Sequence, residues 1–77
     1  MKATLNENEI ETVQLKINAA SEGTYQVSDI FGSDWDDMFD KFNYGRRFYQ
    51  SVCHGHLKCI RYHDRLLDNH RTYAIYR

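Results

Sequence analysis

The chain has 77 residues, with eleven aromatic rings, two cysteines and no proline. That length allows one small core, no stretch approaches the ~20 apolar residues that span a bilayer, and two thiols are too few for a disulfide framework. Ten bases nearly cancel eleven acids, but they are sorted by position: residues 1–40 hold two lysines and nine acids (net −7), and residues 41–77 hold eight bases, two acids and all four histidines (net +6).

The basic half points toward a polyanionic partner. The opening residues lack the apolar run of a signal peptide. The expectation is a soluble, cytoplasmic, single domain over 1–77, with residues 1–8 as a disordered tail.

Asn6 and Glu9 have the spacing of a capping box. Ile10, Val13, Ile17 and Ala20 follow at helical steps, with acids in the first turn where they favour the helix dipole. Val13, Leu15 and Ile17 also alternate as a strand would, but caps and length favour the helix. Ser21-Glu22-Gly23 ends it, with Gly23 as a left-handed stop. Residues 24–27 are short, alternating and β-prone. Ser28 caps a brief turn carrying Ile30 and Phe31, and Gly32-Ser33 breaks it. Ser33 then caps a second, acidic helix, in which Trp35, Met38, Phe39 and Phe42 form a buried face.

A further helix is expected over 43–54. Phe48 and Val52 face inward, and Gly45 above them allows a neighbour to approach closely. Its other face reads Asn43, Arg47, Gln50 and His54, with Arg46 alongside. After Gly55 the period changes: 57–63 and 71–77 read as strands, and the polar connector 64–70 has Asn69 as a turn residue. The order is that of a winged helix-turn-helix-like α+β domain ending in a β-hairpin. In that architecture the helix before the hairpin enters the major groove of DNA. A small α+β domain with the same order and no nucleic-acid role is the alternative.

From Gly23 onward the chain resembles a family of short bacterial and phage proteins known only as a domain of unknown function. The resemblance is carried by residues 23–31 (GTYQVSDIF), Trp35, and Gly45-Arg46-Arg47-Phe48-Tyr49 with Val52. Ile30 stands where the pattern usually has leucine, and the proline common at the end of the first helix is missing. The resemblance implies a small helix-rich domain with a terminal hairpin and a phage or plasmid origin, in which case the host cytoplasm is its place of action. It brings no activity and no catalytic residues.

On chemistry, Asn43, Arg47, Gln50 and His54 present on one helix face the groups that read base edges. Arg46 lies beside that face, and Lys58, Arg61, Arg65 and Arg71 would contact phosphates. The leading expectation is therefore non-catalytic binding of nucleic acid, duplex DNA first, in transcriptional regulation. The alternative partner is a host nucleic-acid-binding protein complex, inhibited by an acidic surface of Glu22, Asp29, Asp34, Asp36, Asp37 and Asp40 that imitates phosphates. Opposed charge in the two halves would also suit a homodimer. Cys53, His54, His56, Cys59, His63 and His70 are zinc-type ligands, but no Cys-x-x-Cys pair exists. No metal or other cofactor is expected, and so short a chain offers little pocket for an enzyme.

Overall fold

The computed structural model describes residues 4–67 and 70–76. Asn69, Arg77 and the first three residues of the expected tail lie outside them. Among the described residues the order is α1 (Glu7–Ala19), β1 (Gly23–Tyr25), α2 (Val27–Phe31), a 3-10 turn (Gly32–Asp37), α3 (Lys41–Cys53), β2 (Ile60–Arg65) and β3 (Arg71–Ile75). The molecule is a small α+β domain. None of its described helices is long and apolar enough to cross a membrane.

α1 begins with the capping box read from the sequence. The Asn6 side chain accepts from the Glu9 N–H at 2.8 Å, and Glu9 accepts from the Asn6 N–H at 3.0 Å. Val13 and Ile17 are fully buried, so the helical period overrides the alternation. The helix stops at Ala20, in extended conformation, and Gly23 opens β1 instead of closing α1. The segment before α1 is not a loose tail from its fifth residue on. Leu5 is buried, and its N–H donates to the buried hydroxyl of Ser51 at 2.9 Å.

The region 33–42 differs most from the expectation. α2 is capped at Gln26, whose N–H donates to Asp29, and not at Ser28. The acidic helix after Ser33 is a six-residue 3-10 turn, ended by extended Met38 and by Asp40 at φ 54°. A 3-10 turn has three residues per turn, so the four-residue steps of the sequence cannot gather into one face. Trp35 and Met38 reach the core edge, whereas Phe39 and Phe42 are 92% and 79% exposed. Asp40 tolerates the left-handed conformation better than most residues, and its carboxylate caps α3 through the Asn43 N–H.

The sheet is antiparallel in the order β1-β3-β2, with the last strand in the middle. Tyr73 and Ile75 of β3 are buried with Ile60 of β2, and α3 packs Tyr44, Phe48 and Val52 toward this core. Phe48 meets Tyr73 edge-on at 4.9 Å. Phe31, Trp35 and Tyr44 form a second aromatic group with centroids 5.4 to 6.2 Å apart, tying α2 and the 3-10 turn to α3. Edge-to-face rings of this kind add to the area they bury.

Candidate functional site

Of the polar row expected along α3, Arg47 turns toward α1. Arg47 is paired with Glu9 through both terminal nitrogens, at 2.6 and 3.1 Å, and each side chain is only about a quarter exposed. The Arg47 hydrogen bond, opposed by burial and helped by the Asn6 backbone, holds the Glu9 carboxyl below its ordinary range. The same hydrogen bond raises Arg47 further above its own. Arg47 is thus a brace between helices, not a free base-reading group. Gln50 is half-buried, Asn43 is exposed, and His54 stands beside the segment at Leu5 and Asn6, stacked on His56 at 5.9 Å.

Two further cations lie elsewhere. The Lys58 backbone is fastened to Gln14 of α1 by hydrogen bonds of 2.8 and 3.0 Å. Arg61 pairs with Ala74 across the sheet and lies over the Tyr76 ring at 5.9 Å, on the face away from the helices. Neither lines the groove described next.

Arg46, Arg65 and Arg71 do come together, with Lys41. They line an open groove of about 650 Å³ between the start of α3, the hairpin and the β1–α2 junction. Phe42, Gly45, Arg46 and Tyr49 recur at three- and four-residue steps, which places them on one side of α3 facing the hairpin. Gly45 is part of the groove wall, and a Cβ there would meet nothing within 4 Å. Among the described residues no neighbour approaches it closely, contrary to the expectation; the missing side chain opens the groove instead.

Arg65 reaches this side because of a bulge. β2 and β3 pair as Tyr62 with Tyr73, then Asp64 with Thr72 and Arg65 with Arg71. His63 is the extra residue, and it resets the alternation so that Arg65 shares a face with Tyr62 and Arg71. The Thr72 hydroxyl donates to the Asp64 carbonyl at 2.9 Å, and the Leu66 N–H to the His70 carbonyl at 2.8 Å, which closes the hairpin. His70 also reaches Gln26 at 3.0 Å, tying the hairpin to the β1–α2 junction.

Arg71 is the most enclosed of the four cations. Its guanidinium lies 4.3 Å from the Tyr49 ring centroid, and its buried Nε has no hydrogen-bond partner among the described residues. Tyr49 itself is kept neutral above its usual range, first by a hydrogen bond with the Cys53 thiol. A guanidinium stacked on an aromatic ring and short of partners is well placed to take an oxyanion. No Asp or Glu is among the described residues lining the groove.

The acids of the first half are partly occupied. Asp34 pairs with Lys16 at 2.7 Å, Asp29 accepts from Gln26, and Asp40 caps α3. Glu22, Asp36 and Asp37 are exposed. Among the described residues no three His, Cys, Asp or Glu side chains gather as a metal site would require. Cys53 and Cys59 are free thiols.

α3 starts at Lys41, before the expected Asn43, so Lys41 and Phe42 belong to it, and Gly45 is open where a close neighbour was expected. The stripe Phe42–Arg46–Tyr49 carries the helical period and could have shown the second face. Trp35, Gln26 and His70 join the groove only through the tertiary fold. Compared with protein-family models, with curated proteins and with solved structures, the chain matches none of them.

Proposed function

We propose that this protein is a non-catalytic nucleic-acid-binding domain of a phage or other mobile element, and that it acts through the groove between α3 and the hairpin. The observation that carries the reading is the gathering of Lys41, Arg46, Arg65 and Arg71 around one concavity in a chain of net charge −1. Four cations brought together from positions 41 to 71 create a local positive field that the total charge conceals. The order helix, strand, helix, helix, hairpin, with the last strand central in the sheet, supports a winged helix-turn-helix-like arrangement. The mobile-element origin is what the resemblance at Gly23–Phe31 and Gly45–Val52 implies. Mimicry by the acidic half has less support, since Asp29, Asp34 and Asp40 already serve caps and an ion pair.

The test is fluorescence anisotropy with labelled oligonucleotides, both single-stranded and duplex, at ~50 mM salt. Arg46→Ala, Arg65→Ala and Arg71→Ala should each weaken binding several-fold, whereas Lys58→Ala and Arg61→Ala should leave it nearly unchanged. Absence of binding to every oligonucleotide rejects the proposal.

A further inference from the structure

We infer that the ligand of this groove is an unpaired strand, with one nucleotide's base seated against the aromatic side chains and its flanking phosphates on the cations. The inference rests on the nucleic-acid reading and narrows it.

Duplex DNA is read by a protruding element whose polar side chains enter the major groove. Here the helix that would protrude has spent Arg47 on Glu9. The remaining cations surround a hollow, with Lys41 and Arg46 on its helix side and Arg65 and Arg71 on its hairpin side. A hollow can accept a base that has left its stack, but not the paired edges of a continuous duplex.

The lining supplies the second requirement of a single-strand site, an aromatic platform beside a cationic track. Trp35 and Phe42 both line the groove. Trp35 is half-buried against Phe31 and Tyr44, which fixes its ring. Phe42 is largely exposed at the groove, where its ring is available to stack on a base. Gly45, one turn along α3, leaves the space between them and the hairpin open. The volume of about 650 Å³ is that of a small-molecule cleft.

The experiment compares four probes by anisotropy at ~50 mM salt: a ten-nucleotide single strand as DNA and as RNA, the matching duplex, and the same strand with central abasic sites. The single tryptophan gives an independent signal, since a base stacked at Trp35 quenches its emission. The single strand should bind at least tenfold more tightly than the duplex. Loss of the bases should weaken it about tenfold, in keeping with the energy of base–aromatic stacking, and abolish the quenching. Phe42→Ala should weaken the single strand about tenfold with an unchanged thermal midpoint, because its ring is already in solvent. Duplex binding equal to or tighter than single-strand binding, or abasic strands that bind and quench like intact ones, would overturn this inference while leaving nucleic-acid binding in place. Failure of all four probes overturns both.

Discussion

Ser51 has no exposure to solvent, and its hydroxyl joins two backbone groups. It accepts from the Leu5 N–H and donates to the Arg47 carbonyl, each at 2.9 Å. Ser51→Ala would leave the Leu5 N–H buried and unpaired, and should cost about 1–3 kcal/mol in urea unfolding. Glu9 has a comparable burden, capping α1 and pairing with Arg47. Its carboxyl titrates below the ordinary 4.5, so its stabilisation is present above that pH and lost as pH falls through the lowered value. Glu9→Gln should therefore destabilise the domain at pH ~7, by about 1–2 kcal/mol given the pair's partial exposure. The gap between the two proteins should shrink in acid as the native carboxyl protonates. Tyr49 acts as a platform for Arg71, so Tyr49→Phe should keep oligonucleotide affinity within about twofold, whereas Tyr49→Leu should lower it several-fold.

Two elements turn on a single residue each. α3 carries Gly45 in its interior with ordinary helical backbone and no neighbour near its missing Cβ. Gly45→Ala should stabilise the domain by about 0.4–1 kcal/mol, mainly by restricting the unfolded chain, and raise the thermal midpoint. Gly45→Phe should fill the groove and reduce binding while the helix still forms; unchanged binding would argue that the groove is not the site. In β2 the extra residue His63 sets the facing of Arg65. Strict alternation would put Arg61, His63 and Arg65 on one side, and the bulge separates Arg61 from Arg65. A charge pattern read along the sequence thus becomes two surfaces, one facing the groove and one over Tyr76.

For the molecule as a whole, the division of charge at residue 40 is not a division between two bodies. Glu9 of the acidic half pairs with Arg47 of the basic half, Gln14 of α1 holds the Lys58 backbone, and the hairpin pairs with β1. The fold interleaves the halves and leaves a smaller set of cations around the groove. With Lys41, Arg46, Arg65 and Arg71 engaged, log affinity for a single strand should fall with log salt at a slope of about −3. The same four contacts on a duplex would give a steeper slope of about −3.6, because a single strand releases fewer counterions per phosphate. A slope near zero would remove phosphate contact from the account.

Local rules in the sequence determined the capping box at Asn6 and Glu9, the buried positions Val13, Ile17, Phe48 and Val52, and the terminal hairpin. Each depends on neighbours within a few residues, through a cap, a helical period or an alternation. The chain order also singled out Arg46, Arg65 and Arg71, which line one groove. Tertiary structure alone decided which side chains share a surface. It paired Arg47 with Glu9 across 38 positions, replaced the acidic helix by a 3-10 turn that leaves Phe42 in solvent, and used a bulge to bring Arg65 round to Arg71. The physical reason is that periodicity specifies a face only while the period holds. Asp40 in a left-handed conformation and His63 in the ladder each break the period, and the groove forms where the two breaks bring α3 and the hairpin together.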